Sequence, residues 1–432
     1  MTRTLTPPLK TRAYAFISIV ALVACLPLHF PLETVLSIYK SPKALFELLT
    51  YHPNWLEASS YTFKYFVTYL LICTLFYIGW LLIERQEARS KLLYIARAIV
   101  RYRLAAALFA MGIIKLIPVQ LPAPTLSDLH TNYGDFLPWK IYYLTNSAAK
   151  AHHQSYLGLV ELLAASALLF RKTASIGAGL ALAFLTNVIL VNIAYQLNHI
   201  VLAIYLFSLA AFVISYDIPR LFAFFFGKKK IYANRYKPSW QANGLFALRY
   251  TLKTGFLFTT FFFLYQVYDT KHVRIFPFPA EAGLADKSGF YHVETFNING
   301  KTIPFTRDGQ QGWQDVVFEA WNTISIADNA VKNIKILPPK GVPLFDNDRY
   351  YEYAGSGGRS YYTYTVDTLT KALKLQAADG SSGTFHLHYE SPADSILLLT
   401  GTNEQQDTIH VKLIRKEQKY LIQEGRRKPI KL

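Results

Sequence analysis

Seven apolar runs in the first 268 residues constrain this chain more than any other feature. Each run is roughly 16 to 23 residues long, and about 20 apolar residues are needed for a helix to cross the hydrocarbon core of a bilayer. The pattern therefore predicts a membrane all-α helix bundle of about seven transmembrane helices. The runs are Ala13–Phe30, Tyr61–Ile83, Leu104–Val119, Ser155–Phe170, Ala174–Tyr195, His199–Ser215 and Leu248–Val267.

The chain changes character after about Asp269, where apolar and polar residues begin to alternate as in Thr408–Leu413. This period of two predicts strands with one buried face. Asn299-Gly300 predicts a tight hairpin turn, because both central residues of that turn need a positive φ. About nine or ten short strands predict a soluble all-β domain, either an antiparallel barrel or a sandwich. Further strand-like runs are Val316–Trp321, Val331–Ile336, Tyr350–Tyr353, Tyr361–Val366, Ala372–Leu375, Gly383–Glu390 and Ser395–Leu399.

Positive charge is concentrated in the apolar part of the chain. Residues 1–268 hold 25 Lys and Arg against 9 Asp and Glu, whereas residues 269–432 hold 20 against 19. The excess falls in loops beside the apolar runs, which indicates membrane topology and contact with anionic lipid rather than nucleic-acid binding. The loops rich in Lys and Arg lie on the side of the N-terminus. We therefore expect a multi-pass protein of the bacterial inner membrane, with a cytoplasmic N-terminus and a periplasmic C-terminal domain.

The first run could instead be a cleaved signal, since Arg3, Lys10 and Arg12 precede it and Leu22–Cys25 resembles a lipoprotein cleavage box. Its length favours a retained first helix over removal of residues 1–24. Cys25 and Cys73 are the only cysteines. Both fall in predicted spans, so the β domain has no disulfide and the sequence has no Cys-x-x-Cys pair for redox or metal chemistry.

Several polar side chains lie in the outer half of the predicted bundle, where an unpaired charge or amide is costly. Glu161 lies about six residues, roughly 9 Å, inside the fourth run. An ion pair between Lys115 and Glu161 would neutralise both charges, and Gly158 would let another helix approach closely. The pair can be structural, with Lys115 reaching to the surface, or it can form a ligand or proton site. The polar residues of this half are Lys115, Glu161, Asn187, Asn192 and His199.

Other candidate groups have simpler interpretations. His199 could donate a proton to a quinone head group or could be a solvated interfacial histidine. Lys253 is best explained by reaching to the cytoplasmic surface, and not by a retinal link. His386, His388 and Glu390 share one strand face and could bind a metal, but a wet face of the sheet explains them better. No GxSxG, HExxH, phosphate-loop or dinucleotide motif occurs.

The block from about Arg97 to Phe226 resembles the DoxX family of small four-helix membrane proteins. The resemblance implies an association with quinone-linked oxidoreductases. The chain departs from the family after Tyr195, where Gln196-Leu197-Asn198-His199 replaces an acidic residue followed by proline and lysine. Gly289-Phe290-Tyr291 is similar to the start of a lipocalin. The matching residues are Lys115, Pro118-Val119-Gln120, Pro122, Tyr133-Gly134, Gly158, Glu161, Phe170–Thr173, Gly177, Asn187, Asn192–Tyr195 and Asp217–Arg220.

The sequence thus predicts four parts. Residues 1–96 hold the N-terminal transmembrane helices and a basic cytoplasmic loop, and residues 97–226 form a DoxX-like four-helix core. Residues 227–268 hold a cytoplasmic loop and the last transmembrane helix, and residues 269–432 form an extracytoplasmic antiparallel β domain, a barrel or sandwich whose first strand resembles that of a lipocalin.

The resemblance implies a quinone- or lipid-associated redox subunit, with a quinone as cofactor, membrane lipids around it and a redox partner protein. An alternative is a non-catalytic envelope scaffold or binding protein whose β domain binds an apolar ligand or a protein partner. A third is a small-solute or proton-coupled transporter. No metal site is expected. The candidate ligand-binding residues are Lys115, Gln120, Glu161, Asn187, Asn192, Tyr195 and His199.

Overall fold

Two compact units make up the structure, which is a computed structural model. The helical unit comprises residues 1–118, 154–194 and 198–269, and the β unit comprises residues 119–153, 195–197 and 270–432. The basic loop 228–244, which the charge pattern assigned to the cytoplasm, lies outside the described residues. The structure describes residues 8–27, 31–53, 62–82, 86–148, 152–227, 245–274, 278–279, 281–284, 286–306, 312–330, 332–339, 341–345, 349–380 and 383–424.

Every one of the seven apolar runs forms a helix, and shorter helices lie between them. Outside the first, third and seventh runs, the helix bounds lie within three residues of the predicted ones. The helices are α1 Pro8–Ala24, α2 Leu32–Ser37, α3 Pro42–Leu49, α4 Thr62–Leu82, α5 Gln86–Leu116, α6 Leu126–Leu129, α7 Pro138–Ala148, α8 His152–Leu169, α9 Ala174–Ala194, α10 Ile200–Ser215, α11 Ile218–Phe226, α12 Leu245–Val273, α13 Tyr350–Tyr353 and α14 Leu421–Glu424.

The prediction of seven transmembrane helices is not confirmed by length and composition. In the described part of the chain, Phe63–Leu82 and Ala174–Ala194 are long and apolar enough to cross a membrane. Helices α10 and α11 would add a third span if they are counted together, although they are bent by 67° at their junction. The remaining helices are too short, as in α1, or carry polar and charged side chains, as in α5, α8 and α12.

Helix α5 is 31 residues long, or about 46 Å at 1.5 Å per residue. Arg97, Arg101 and Arg103 therefore lie inside a helix, which begins well before the third apolar run. Arg97 pairs with Asp217. Arg103 donates to the carbonyl oxygens of Leu49, at 2.5 Å, and Tyr51. Arg97 and Arg103 are therefore bound to other residues of the helical unit.

Helices α5 and α8 pack with their backbones in contact, as the position of Gly158 predicted. A Cβ on Gly158 would lie 2.5 Å from the backbone nitrogen of Leu116 and 2.6 Å from the carbonyl oxygen of Gly112. No real side chain tolerates such distances, so glycine is required at this crossing. The contact places Lys115 of α5 beside the turn of α8 that carries Glu161.

The β unit contains an antiparallel barrel, which decides between the two predicted β architectures. Eight strands follow one another around the barrel in chain order, and β1 pairs with β9 to close it. The short strand β2 continues β1 through the turn at Asn299 (φ 49°) and Gly300 (φ 77°), which confirms the predicted hairpin. The strands are β1 Gly289–Ile298, β2 Lys301–Thr302, β3 Trp313–Phe318, β4 Thr323–Asp328, β5 Ser360–Asp367, β6 Ala372–Ala377, β7 Thr384–Ala393, β8 Ile396–Asn403 and β9 Thr408–Lys416.

The barrel interior is filled by its own side chains. Phe296 and Trp313 lie with ring centroids 5.2 Å apart, and Tyr362 lies edge-on to Phe385 at 5.4 Å. Aliphatic residues such as Leu397 complete a single buried core. Eight strands enclose a space that side chains can just fill, and here they do so.

Two predicted strands are absent. Tyr350–Tyr353 forms the short helix α13. The described part of Val331–Ile336 belongs to an irregular segment, residues 332–339. Its backbone bonds to side chains and to Gly355, because the segment runs beside α7 and α13 and pairs with no strand there.

Strands β3, β4 and β5 are buried on both faces. Val317, Ser325 and Tyr361 lie opposite one another on the outer face, yet all three are buried. Residues 119–148, here called the α6–α7 segment, cover this face; Ser325 Oγ donates to Ser127 Oγ at 2.7 Å. A segment that joins α5 to α8 in sequence thus forms part of the outer layer of the barrel.

Candidate functional site

A buried ion pair forms the centre of the candidate site in the helical unit. Lys115 Nζ lies 2.5 Å from Glu161 Oε1, which confirms the predicted pairing. Lys115 is 9% exposed and Glu161 is 1% exposed. The ammonium also lies 5.2 Å from the centre of the Phe184 ring, within range of a cation–π interaction.

The second oxygen of the carboxylate lacks a hydrogen bond. Glu161 Oε2 is buried and accepts none from any residue that the structure describes. A buried acceptor without a donor costs about 1 to 3 kcal/mol. Such an atom indicates that a hydroxyl or a water completes the site.

Asn192 and His199 join the end of α9 to the start of α10. Asn192 is buried; its amide nitrogen donates to the carbonyl oxygen of Val188 at 2.8 Å, and its amide oxygen accepts the backbone N–H of His199 at 3.0 Å. The side chain therefore fixes the half-buried His199 at the first turn of α10. The charges of Lys115 and of His52 act on the His199 imidazole. These contacts define the outer polar cluster of Lys115, Glu161, Asn192, His199 and His52.

Sequence reasoning missed His52 because it follows α3 in a segment that was taken as an ordinary loop. It also named Asn187, Gln120 and Tyr195 as candidates. Asn187 is exposed on α9, about 140° around the helix from Asn192 at 100° per residue. Gln120 and Tyr195 belong to the β unit. Gln120 is half-buried after α5, and the Tyr195 ring lies 4.9 Å from that of Tyr142.

A second buried ionic cluster lies in the β unit, between the α6–α7 segment and the outer face of the barrel. We call it the lysine–carboxylate network. No residue of this network was proposed as a functional residue from the sequence. Its members are Asp128, Lys140, Asp315, Glu319, Glu352 and Arg359, each exposed by 9% or less.

Lys140 of α7 is completely buried. Its Nζ donates to the carbonyl oxygen of Tyr351 at 2.8 Å, lies 3.5 Å from Asp128 Oδ1 and sits 4.2 Å from the centre of the Tyr351 ring. Burial lowers the pKa of Lys140, and the Asp128 carboxylate opposes that shift. The lysine thus holds α7, α6 and α13 together.

Glu319 and Arg359 bind the α6–α7 segment from the barrel side. Glu319 Oε1 accepts the backbone N–H of Ser127 at 2.8 Å and its hydroxyl at 2.6 Å. Arg359 Nε donates to Ser325 Oγ at 2.8 Å, and its Nη1 lies 2.6 Å from Asp315 Oδ1. Arg359 also donates to the carbonyl oxygen of His130 at 3.2 Å. The hydrogen bonds of Glu319 and Arg359 with the α6–α7 segment each have one charged partner, and such charge-assisted hydrogen bonds are stronger than neutral ones.

Glu352 is the most perturbed carboxyl of the network. Burial raises its pKa from 4.5 to about 7, although the hydrogen bond from Thr323 Oγ1 at 2.8 Å and the Arg349 charge both act to lower it. Burial also raises the pKa of Glu319. His130, whose ring stacks on Phe290 at 3.7 Å, has a pKa that burial lowers. Glu352 therefore has a pKa close to neutral pH.

The strand face of His386, His388 and Glu390 is exposed. His388 Nε2 lies 3.8 Å from Glu390 Oε1. Within the described ranges, no group of three or more His, Cys, Asp or Glu side chains has the geometry to hold a metal ion.

Comparison with known proteins gives no match: no family model, no curated protein and no solved structure is similar to the chain at a significant level. The two polar clusters are therefore the features of this chain from which a function can be inferred.

Proposed function

We propose that this chain is an integral membrane protein of the bacterial inner membrane, and that its outer polar cluster binds the head group of a quinone or a related lipid. In this role it serves as a quinone- or lipid-associated redox subunit. The observation that carries the proposal is Glu161 Oε2, a buried carboxylate oxygen beside the ammonium of Lys115 with no hydrogen bond from the described residues.

The donors and acceptors of the cluster fit such a head group. Glu161 Oε2 can accept a hydrogen bond from a hydroxyl, and Lys115 can donate to a carbonyl oxygen while it keeps its pair with Glu161. His199 has a backbone fixed by Asn192 and a ring that can donate or accept a proton. A bound quinone would supply the redox chemistry, and the chain would bind its head group and exchange protons at Glu161 and His199.

The membrane arrangement is part of the proposal. Helices over all seven apolar runs, together with the excess of Lys and Arg in residues 1–268, support a multi-pass chain with a cytoplasmic N-terminus and a periplasmic barrel. The DoxX resemblance of residues 97–226 agrees with the position of Lys115 and Glu161 on neighbouring helices α5 and α8. A redox protein would be the natural partner of such a subunit.

A non-catalytic envelope scaffold is the second candidate, and the β unit favours it. The barrel interior is filled by Tyr291, Phe318 and other buried side chains, which leaves a scaffold to use its outer surface for a protein partner. An apolar ligand of such a scaffold would have to compete with these side chains for the barrel interior.

The test is mass spectrometry of small molecules retained by the full-length protein in mild detergent, with an absorption spectrum of the same sample. A stoichiometric quinone or quinone-like lipid is expected in the parent protein. Glu161→Gln should reduce its retention by about tenfold or more, since a hydrogen bond to a charged group contributes about 1.5 to 3 kcal/mol.

Asn187→Ala is the matched control, because Asn187 is exposed on α9 and its loss should leave retention unchanged. Equal retention in a folded Glu161→Gln protein would reject the site. An empty, colourless parent protein would reject the redox-subunit proposal and favour the scaffold.

A further inference from the structure

The irregular segment 332–339 exposes three large apolar side chains close together. Ile334, Ile336 and Leu337 are 45%, 69% and 59% exposed. A soluble protein seldom leaves several such neighbours in water, and a patch of this kind marks a contact with a protein or a membrane.

The backbone of this segment is held by three hydrogen bonds from the rest of the β unit. Trp139 Nε1 donates to the carbonyl oxygen of Ile336 at 2.8 Å, and the Tyr350 hydroxyl donates to that of Leu337 at 2.7 Å. The backbone N–H of Gly355 donates to the carbonyl oxygen of Lys335 at 3.0 Å. The backbone of the segment is thus held in a defined position, while its apolar side chains are exposed.

An aromatic cluster lies directly behind the segment. Trp139, Tyr143, Phe278, Trp321 and Tyr351 form its buried part. Tyrosine and tryptophan are enriched where membrane proteins pass through the head-group layer, because their rings are apolar and their tips are polar.

The chain itself ties this cluster to the ends of three long helices. Leu121 and Leu197 pack against the cluster; Leu121 follows the end of α5 at Leu116, and Leu197 follows the end of α9 at Ala194. Phe278 follows the end of α12 at Val273. Each of these three residues lies within five positions of its helix end in the sequence.

We infer that Ile334, Ile336 and Leu337 insert into the bilayer at the boundary between head groups and acyl chains, in the leaflet on the side of the barrel. Trp139 and Tyr142 then lie in the head-group layer, and Lys335 can extend toward lipid phosphates. The β unit is thereby held against the membrane by a lipid contact of its own. This inference depends on the membrane insertion that the proposed function includes, and it is independent of the quinone site.

The experiment places an environment-sensitive fluorophore on single introduced cysteines of the full-length protein. Ile336→Cys and Leu337→Cys test the segment. Leu190→Cys, exposed on the candidate span α9, is the membrane control, and Leu369→Cys, 94% exposed between β5 and β6, is the water control. Cys25 and Cys73 are buried, so the parent chain serves as the labelling blank.

The labelled proteins are reconstituted in phosphatidylcholine nanodiscs with and without a lipid that carries a nitroxide quencher near the head group. We expect labels at 336 and 337 to lose fluorescence to the extent seen at 190, while the label at 369 is unaffected. If 336 and 337 behave like 369 while 190 is quenched, the inference is wrong and membrane insertion stands. If 190 is also unquenched, membrane insertion fails, and both this inference and the proposed function fall.

Discussion

Each unit of the molecule buries a lysine against a carboxylate, and the surroundings of the two lysines differ. Lys115 in the helical unit has one carboxylate, Glu161, whose second oxygen accepts no hydrogen bond in the described structure. Lys140 in the β unit lies among Asp128, Glu352 and the carbonyl oxygen of Tyr351. Asp128 Oδ1, Asp315 Oδ1 and Glu352 Oε1 of its network also accept no hydrogen bond from the described residues. The first two, however, lie in ion pairs with Lys140 and Arg359, and Glu319 accepts hydrogen bonds on both oxygens.

The difference separates two uses of a buried charge. In the β unit, several charged and polar groups bind one another across a contact between distant parts of the chain, so the network holds the α6–α7 segment on the barrel. In the helical unit, one pair leaves an acceptor that another molecule can fill. The two clusters should therefore respond differently to loss of the lysine.

The largest effect is expected from Lys140→Met. The variant keeps the volume of the side chain but leaves Asp128 buried without its cation, which should lower the free energy of unfolding of the β unit by about 3 to 5 kcal/mol. The free energy of unfolding is measured by denaturant unfolding of the full-length protein, with cleavage of the barrel by a protease as the signal. Lys374→Met, on the exposed face of β6, should stay within about 0.5 kcal/mol. Equal stability of the two variants would show that the network is incidental.

The next effect is the pH dependence of the β unit. Because burial raises the pKa of Glu352 from 4.5 to about 7, the folded state holds this proton more tightly than the unfolded chain. Its stabilising contribution is fully present below about pH 4.5 and is lost as the pH rises through about 7. The loss should approach about 3 kcal/mol between pH 5 and 8.

Glu352→Gln should remove this loss, which makes the variant more stable than the parent at pH 8. His130 acts in the opposite direction, because its lowered pKa makes its contribution disappear as the pH falls below its ordinary value. The difference between parent and Glu352→Gln unfolding curves, measured across the pH range, isolates the carboxyl. Parallel curves would contradict the assignment.

The smallest effect is expected from Lys115→Met. A single polar contact between membrane helices contributes about 1 kcal/mol, since partly unfolded helices in a membrane also find partners. Unfolding in mixed micelles should show a loss of about that size, and Lys115→Met combined with Glu161→Leu should recover most of it. A loss as large as that of Lys140→Met would mean that both clusters are structural, and would remove the contrast between them.

The sequence predicted the cluster that lies among apolar residues and missed the one that does not. Lys115 and Glu161 are conspicuous because hydrocarbon excludes charge, and the spacing of α5 and α8 places them at similar depth. Asp128 lies in the short helix α6 and Glu319 directly follows β3, where charged residues are common. Glu319 binds Ser127, which lies 192 residues away in the chain. No local sequence pattern encodes such a pairing.

The same reasoning explains which elements were predicted. The alternation of β5 to β9 and the turn at Asn299 are local signals, and they gave the strands and one hairpin correctly. Closure of the barrel depends on the long-range pairing of β1 with β9. The sequence has no local signal for that pairing, so its pattern was equally compatible with a sandwich. Tyr350–Tyr353 alternates like a strand but is helical, because its aromatic rings pack against Trp139, Tyr143 and Phe278.

The α6–α7 segment also determines the order in which the barrel can be completed. It is synthesised long before β3, β4 and β5. Its contact with these strands closes a large loop of chain, and such long-range contacts form slowly. A fragment that begins after α12 would fold without its outer layer and expose Val317, Ser325 and Tyr361. The β unit is therefore completed by a segment that precedes α8 in the chain, and it cannot form in full from residues 270–432 alone.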